Sequence, residues 1–197
     1  IYPALRHLAY VENAPDSDLW HTLIEADNYH ALQLLEYLYA EKVDCIYIDP
    51  PYNTGAKDWK YNNDYVDSTD AYRHSKWLSM MEKRLKLAKK LLNPEDSVLI
   101  VTIDEKEYLH LGCLLEEIFS EAEVQMVSSV INPKGSARTG RFSRVDEYLF
   151  FVFLGKSEVY PCESDMLREV NEDKRSVRWA GLMRNGEGST RARIPSL

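Results

Sequence analysis

The chain has 197 residues, of which 45% are hydrophobic, and its formal net charge is −8. A chain of this length can bury one core, and its longest apolar run, residues 148–154, is far shorter than the roughly 18 residues that cross a bilayer. Three distant cysteines, Cys45, Cys113 and Cys162, exclude a disulfide scaffold and a cysteine-rich zinc module. We therefore expect a cytoplasmic protein with no membrane partner. Because its five histidines have no metal-ligand spacing, we also expect no metal.

The net charge hides an asymmetry along the chain. Residues 133–197 hold 12 basic and 9 acidic residues, a net charge of +3, whereas residues 1–132 hold 12 basic and 23 acidic residues, a net charge of −11. Nucleic-acid binding requires a basic surface, and the C-terminal third is compatible with one. Chance variation on a solvated surface is the alternative explanation.

The first half of the chain alternates strand-like and helix-like patterns. Residues 22–26 predict a short strand, Asp27-Asn28 a cap, and residues 31–38 a helix with apolar side chains at helical spacing. Residues 43–48 form an apolar, β-rich run that stops at two prolines, which cannot donate to a sheet. Residues 53–71 are polar, aromatic and rich in Asn and Asp, and they predict a long functional loop.

The second half repeats this alternation. An apolar stripe predicts a helix over residues 75–92, and residues 97–103 predict a strand that is covered on both faces. Asp104 is predicted to cap a further helix. Two more strands are predicted at residues 124–131 and 146–154, joined by a loop rich in Gly and Arg. The last third of the chain has no clear periodicity.

The alternation of strands and helices predicts an α/β fold with a parallel, helix-covered sheet. Ligands of such sheets bind beyond the carboxyl ends of the strands. The segment Asp49-Pro50-Pro51-Tyr52 lies at such an end, between the strand at residues 43–48 and the polar loop. Its position alone makes it a candidate functional site.

The same segment is suited to binding a planar amine. Its prolines fix a rigid turn, so the Asp49 carboxylate and the Pro50 carbonyl can both accept hydrogen bonds from one amino group. Two acceptors favour rehybridisation of the nitrogen and expose its lone pair to an electrophile. Tyr52 offers a flat face to a base flipped out of a helix. A Pro-Pro turn that merely ends a strand, with Tyr52 in packing, is the alternative.

Residues 46–53, with the sequence IYIDPPYN, resemble motif IV of the amino-group DNA methyltransferases. The order of the other segments is similar to that of the β group of this family, which includes the modification subunits of type III restriction systems. The similar segments are residues 23–35, 74–85, 98–104, 115–119, 146–149 and 178–193. The resemblance implies a Rossmann-like methyltransferase sheet, mostly parallel with one antiparallel strand and with helices on both faces. It also implies S-adenosylmethionine as the methyl donor and, because the motif begins with Asp, adenine N6 of double-stranded DNA as the acceptor.

The resemblance assigns roles to individual residues. Asp49, Pro50, Pro51 and Tyr52 would be catalytic, Asp27, Asn28 and Asp49 would bind the cofactor, and Tyr52, Asn53, Phe142, Arg138 and Arg141 would contact the substrate. Each of the more distant assignments has a structural alternative. Asp27 is also a typical helix cap, and Phe142, or Phe150 as the other candidate for the pocket wall, is also typical of a core. The arginines also fit a solvated loop.

One part of the family pattern is not found, namely the glycine-rich donor loop F-x-G-x-G. Gly186-Glu187-Gly188 lacks the preceding Phe and the preceding strand. We therefore expect the chain to hold the catalytic half, with the donor loop beyond Leu197. The predicted organisation is an extension over residues 1–20, the methyltransferase region over 21–155, and the start of a basic target-recognition or connecting region over 156–197.

The resemblance leaves open a restriction subunit and a second copy of the chain, in a homodimer, as partners. Methylation of another planar amine, in RNA adenine, cytosine N4 or a glutamine side chain, is the alternative activity. A catalytically inactive DNA-binding relative is the alternative class, although the intact segment at residues 49–52 argues against it.

Overall fold

The computed structural model describes residues 4–12, 16–61, 64–132 and 135–160. The helices are α1 (Asn28–Tyr39), α2 (Arg73–Leu91) and α3 (Tyr108–Ile118). The strands are β1 (Cys45–Ile48), β2 (Ala56–Tyr61), β3 (Asp64–Asp67), β4 (Asp96–Ile103), β5 (Glu123–Val130), β6 (Ser136–Arg138), β7 (Arg141–Arg144) and β8 (Asp146–Gly155). No helix in this part of the chain has both the length and the apolar character that a membrane span requires.

The main sheet has four strands in the order β1-β4-β8-β5. β1 is parallel to β4, whereas β8 is antiparallel to both of its neighbours. The strands β1, β4 and β5 therefore run in one direction and β8 runs in the other. The prediction of an α/β fold with a mostly parallel sheet and one antiparallel strand is confirmed. Two hairpins, β2-β3 and β6-β7, lie outside this sheet.

The core lies on one face of the sheet, beneath α2 and α3. The strand side chains that are buried there are Leu99, Val101 and Ile103 of β4 and Phe150, Val152 and Leu154 of β8. Trp77, Met81 and Leu85 of α2 and Leu111 and Leu115 of α3 pack against them. The opposite face of β4 carries residues that are only half-buried, so the described helices cover one of the two faces. The alternating burial of β4 differs from the burial on both faces that its apolar sequence predicts.

The predicted strand at residues 22–26 does not form, because the described chain provides it with no neighbouring strand. β1 is an edge strand whose outer side has no strand partner in that part of the chain. An isolated extended segment leaves its backbone groups to water, since a strand is stabilised only by pairing. The following helix forms as predicted, with Asp27 as its N-cap.

The prediction of a long loop over residues 53–71 is wrong. This segment contains the β2-β3 hairpin, which buries Trp59 on β2 and Val66 on β3. The two apolar side chains give the hairpin an anchor in the core, and the surrounding Asn and Asp residues concealed the strand pattern. Asn62-Asn63, between the two strands, is a turn signal that a search for hairpins would have detected.

The prediction of Asp104 as the cap of α3 is also wrong. The helix begins at Tyr108 and its N-cap is Glu107, whereas the Asp104 carboxylate accepts a hydrogen bond from the Lys106 amide in the preceding turn. α2, β4, β5 and β8 form within two residues of their predicted bounds. One compact unit extends to Glu158. The predicted boundaries at residues 20 and 155 stay predictions, and residues 161–197 lie outside the described part.

Candidate active site

A cleft of about 560 Å³ opens at the carboxyl end of β1. Its walls are formed by Asp49, Pro50, Pro51, Tyr52, Thr54 and Glu147. The sheet topology explains the grouping, because Ile48 ends β1 while Glu147 lies near the beginning of the antiparallel β8. The end of a parallel strand and the start of an antiparallel one thus meet at the same edge. The four residues predicted to be catalytic lie together in this cleft.

The Asp49 side chain is exposed in the cleft and is oriented by the neighbouring strand. Ile48 pairs with Val101, which places Asp49 beside Thr102. The Thr102 hydroxyl donates to Asp49 Oδ1 at 2.6 Å and lies 3.4 Å from the Ile48 carbonyl oxygen. One oxygen of the carboxylate is therefore fixed by the protein. This orients the carboxylate before a ligand binds, as catalysis by a preorganised hydrogen-bond acceptor requires.

Tyr52 lines the cleft with a ring that is partly buried against the core. Its hydroxyl lies 3.5 Å from Glu147 Oε2. Burial raises the pKa of Tyr52 to about 12; a hydrogen bond with Thr102 lowers it, and the charges of Asp49 and Glu147 raise it further. The phenol is consequently neutral at physiological pH, and its ring presents an uncharged face.

The other side of the same turn is fixed to the helices. Trp77 Nε1 on α2 donates to the Pro51 carbonyl at 2.7 Å. The next residue, Asn53, has a φ of 56°, a left-handed conformation that Asn tolerates better than most residues. Its side chain is buried, with Nδ2 donating to Glu107 Oε1 and to the Arg73 carbonyl, and Oδ1 accepting from Trp59 Nε1 at 3.1 Å.

These contacts correct the sequence interpretation of Asn53. We predicted a substrate contact, but the side chain is only 1% exposed and its amide is used within the protein. A buried amide with satisfied donors and acceptor is an anchor, since withdrawing it would leave polar groups without partners.

Arg144 holds the rim of the cleft on the β8 side. Its Nη2 donates to Glu147 Oε1 at 2.7 Å, and its Nε donates to the Asp146 carbonyl at 3.0 Å. Nη1 lies 3.8 Å from Asp104 Oδ2. Burial raises the pKa of the Asp104 carboxyl, although the Lys106 amide and the Arg144 charge oppose this. Arg144, the last residue of β7, thus fixes Glu147, an acidic residue of the cleft.

The family model for DNA methylases, N6_N4_Mtase, matches residues 43–191. The chain belongs to the DNA methylase family. The match includes every residue that lines the cleft, and the resemblance inferred from the sequence is confirmed.

Curated relatives of this methylase include subunits of type III restriction-modification enzymes. The chain is 32% identical over 205 residues to the EcoPI Mod subunit of Escherichia phage P1, which covers 88% of this chain and 31% of that subunit. It is 42% identical over 97 residues to the probable HindVI Mod subunit of Haemophilus influenzae, covering 49% of this chain and 12% of the subunit. The type II methyltransferase M.KpnI of Klebsiella pneumoniae is 34% identical over 139 residues, covering 68% and 32%.

The chain spans about a third or less of the length of these relatives. Among solved structures, the crystal structure of the M1.HpyAVI-SAM complex matches with a TM-score of 0.46 and 18% identity, covering 72% of this chain and 60% of that one.

Several residues that the sequence assigned to this methylase site lie outside the cleft. Asp27 caps α1, accepting from the Tyr29 amide at 3.0 Å, and neither it nor Asn28 lines the cleft. Phe142 is 98% exposed on β7, so it forms neither the predicted pocket wall nor core, whereas Phe150 is a core residue. Arg138 and Arg141 pair in the β6-β7 hairpin.

A cluster of three side chains on the buried side of the turn was also missed from the sequence. His74, Glu107 and His110 bring their ligand-type atoms within 4.8 Å of one another, and within the described residues they are the set that could hold a metal ion. The expectation that the histidines have no metal-ligand spacing holds along the chain but not in space, because His74 and Glu107 are 33 residues apart. Glu107 and His110 are three residues apart, a local spacing that the sequence shows, but no local pattern could have indicated His74.

Proposed function

We propose that this chain carries the acceptor-binding half of an S-adenosylmethionine-dependent DNA methyltransferase that modifies adenine N6 in a type III restriction-modification system. The observation that carries the proposal is the open cleft in which Asp49, Pro50 and Tyr52 meet at the end of a parallel strand. The family and the similarity to type III Mod subunits support the same class of activity. The acceptor base and the methyl donor are parts of the proposal.

The acceptor amine would bind between two oxygens. The Asp49 carboxylate, oriented by Thr102, and the Pro50 carbonyl would accept the two N–H groups of an exocyclic amine. Because these acceptors are fixed before the base arrives, they cost little reorganisation when the nitrogen becomes tetrahedral. The uncharged ring of Tyr52 would stack on the flipped base.

The donor set of the cleft fits a cationic methyl donor. Its rim carries two carboxylates, of which Glu147 is paired with Arg144 while Asp49 is exposed and would attract a sulfonium ion. When bound, S-adenosylmethionine would supply an electrophilic methyl group. Asp49 would face it, and Asp27, exposed at the beginning of α1, is the second proposed contact.

The proton balance also depends on Asp49. Transfer of a methyl group would form a C–N bond at the amine while the C–S bond of the donor breaks and its sulfur leaves as a neutral thioether, and the nitrogen would have to release one proton. The Asp49 carboxylate, already hydrogen-bonded to that nitrogen, would accept the proton at its oxygen. The open cleft would then allow the proton to leave to water.

Contacts with double-stranded DNA are proposed for the β6-β7 hairpin. Its backbone carries Arg138 and Arg141, and Phe142 projects an apolar ring almost completely into solvent. Arginines contact phosphates, and an exposed aromatic ring can stack on a base. A restriction subunit, which the names of the Mod relatives suggest, is a further proposal, as are a homodimer partner and a cytoplasmic location.

The proposal is tested by identifying the methylated nucleoside. Full-length protein, purified from a host without adenine methylation, is incubated with labelled S-adenosylmethionine and unmethylated DNA, and the digested product is analysed by mass spectrometry. We expect N6-methyladenine. N4-methylcytosine would overturn the adenine assignment, labelled RNA or protein would overturn DNA as substrate, and no transfer to any of them would favour an inactive relative.

A further inference from the structure

Glu107 is the centre, here called the hub, of the hydrogen bonds on the buried side of the turn formed by Asp49-Pro50-Pro51-Tyr52. Its side chain is 0% exposed, and its Oε1 accepts hydrogen bonds from Asn53 Nδ2 and from His74 Nδ1, the latter at 2.7 Å. Asn53 directly follows Tyr52, while His74 belongs to α2 and Glu107 caps α3. One carboxylate oxygen therefore connects the turn to both helices of the core.

The distances in this cluster indicate a hydrogen-bonded hub and not a metal centre. Two ligands that share a tetrahedral zinc at about 2.1 Å are about 3.4 Å apart, whereas His74 Nδ1 is 2.7 Å from Glu107 Oε1. His110 Nδ1 lies 2.9 Å from Oε2 without hydrogen-bond geometry, and among the described residues Oε2 is buried with no hydrogen-bond partner. Arg73 Nε also donates to His74 Nε2 at 3.2 Å. Since Nε2 accepts, Nδ1 of a neutral imidazole carries the hydrogen and has no lone pair for a metal.

We propose that Glu107 is a positioning residue for methyl transfer, acting through Asn53 on the turn that carries Asp49 and Tyr52. The inference rests on the proposed function. Glu107 lines no part of the cleft, so it does not touch the amine. It holds the amide of Asn53, whose left-handed backbone lies between Tyr52 and Thr54, both of which line the cleft.

The effect of this hub is on geometry and not on charge. Reacting groups must be held near their productive positions, and a misplacement of about 1 Å can cost about 100-fold in rate. The Asn53 amide needs an acceptor at the position of Oε1, which the carbonyl oxygen of Gln provides as well as a carboxylate does. A leucine fills similar space but accepts nothing.

The experiment compares four variants of the full-length enzyme with wild type. Glu107→Leu removes the acceptor and Glu107→Gln keeps it. Asn53→Gly removes the amide while still permitting the positive φ. Glu116→Gln, an exposed site on α3, is the matched control for loss of charge. The readouts are kcat and KM for both substrates, together with the indole N–H resonances of Trp59 and Trp77, whose hydrogen bonds end on the turn.

We expect Glu107→Leu and Asn53→Gly each to lower kcat about 10- to 100-fold with KM for the donor unchanged, and to shift the Trp59 and Trp77 resonances but not that of exposed Trp20. The Glu107→Leu/Asn53→Gly double variant should lose no more than either single one, because both break one link. Glu107→Gln should retain kcat within about threefold. The Glu116→Gln control should match wild type.

Contrary outcomes are separable. If wild type transfers no methyl group, the proposed function fails, while the resonance shifts still report whether Glu107 fixes the turn. If wild type is active and Glu107→Leu keeps its kcat, or if Gln is as damaging as Leu, the positioning role is overturned. Stoichiometric zinc in the purified protein that is lost in His110→Ala would replace the hydrogen-bonded hub by a metal site.

Discussion

The turn at residues 49–53 has two sides that differ in exposure and in bonding. On the open side, Asp49 and Tyr52 line the cleft, and the Asp49 carboxylate accepts a hydrogen bond from the Thr102 hydroxyl and is also hydrogen-bonded to the Tyr52 side chain. On the closed side, the Pro51 carbonyl is bound by Trp77, and the Asn53 amide is buried with partners on every polar atom. Five consecutive residues thus change from a solvent-facing site to an interior anchor.

Because its two sides differ, this short motif can be both reactive and fixed in position. The open groups are available to a ligand, while the closed groups bind the turn to α2 and α3 and cannot be withdrawn without leaving buried polar atoms unpaired. We therefore expect substitutions on the open side to change the reaction with little change in stability. Substitutions on the closed side should change both.

The largest effect is expected for Asp49→Ala on the open side. Loss of a charged acceptor from a preorganised site typically lowers kcat about 10²- to 10³-fold. DNA affinity should be retained, because phosphate contacts lie elsewhere, and the melting temperature should change little, because the side chain is exposed. Methyl transfer, DNA binding and thermal unfolding of the full-length protein measure the three quantities.

The matched control for this change is Asp44→Ala, which removes an exposed carboxylate just before the other end of β1. It should transfer methyl groups at the wild-type rate. Activity of Asp49→Ala within threefold of wild type would remove Asp49 from the reaction and contradict the assignment of the open side as the reactive one.

A smaller loss is expected for Tyr52→Ala. Stacking of a base on an aromatic ring is worth about 1–3 kcal/mol, so capture of the flipped base should weaken about 5- to 150-fold. Tyr52→Phe keeps the ring and loses only the hydroxyl, whose contact with Glu147 is long at 3.5 Å, and should retain most of the activity. Fluorescence of 2-aminopurine at the target position measures base flipping. Equal damage from Phe and Ala would transfer the role from the ring to the hydroxyl.

The open side could be predicted from the sequence because its residues are contiguous. Asp49-Pro50-Pro51-Tyr52 is a local motif at the end of a strand, and a strand pattern needs only neighbouring residues. Most of the fold was predictable for the same reason, as in α2 and β4, whose apolar patterns are long. The hairpin at residues 56–67 was missed because its strands are short and contain few apolar side chains.

The distant residues that hold the turn, on its closed side and at Asp49 on its open side, were not predictable in this way. Glu107, Trp77 and Thr102 are 54, 26 and 53 residues from their partners in the turn. Only strand register and helix packing bring them there. Thr102 carried a weak signal, as a polar residue near the end of an apolar strand, whereas nothing local links Glu107 to Asn53. Phe142 shows the converse error, since an aromatic side chain is not ensured burial, either in a cleft or in a core, when it lies in a two-stranded hairpin outside the main sheet.

Removal of the Thr102 hydroxyl tests how much the open side depends on the hydrogen bond from Thr102 to Asp49. Thr102→Val keeps the shape and removes the donor to Asp49 Oδ1. A hydrogen bond of this kind contributes about 1 kcal/mol net, which corresponds to about a fivefold lower kcat. Thr102→Ser keeps the hydroxyl and serves as the control. If Thr102→Val lowered kcat as much as Asp49→Ala does, the geometry of the open side would depend on this hydrogen bond as strongly as the closed side depends on its buried hydrogen bonds.

The smallest effect concerns Asp104, which directly follows β4 and is 2% exposed. Because burial raises its pKa, the folded protein binds this proton more tightly than the unfolded chain, and the charged form lowers stability at pH 7. Asp104→Asn keeps the acceptor for the Lys106 amide and should raise the melting temperature at pH 7 by up to about 3 °C.

The pH dependence of the difference in melting temperature between Asp104→Asn and wild type tests this prediction. As pH falls through the raised pKa, wild type protonates Asp104 in the folded state and the advantage of the Asn variant should narrow, becoming constant below about 3.8, where both states of wild type are protonated. Asp96→Asn, at the exposed start of the same strand, should show no such change. Melting curves between pH 3 and 8 measure both. An Asn variant that is less stable than wild type at pH 7 would mean that the Arg144 charge, 3.8 Å away, outweighs burial.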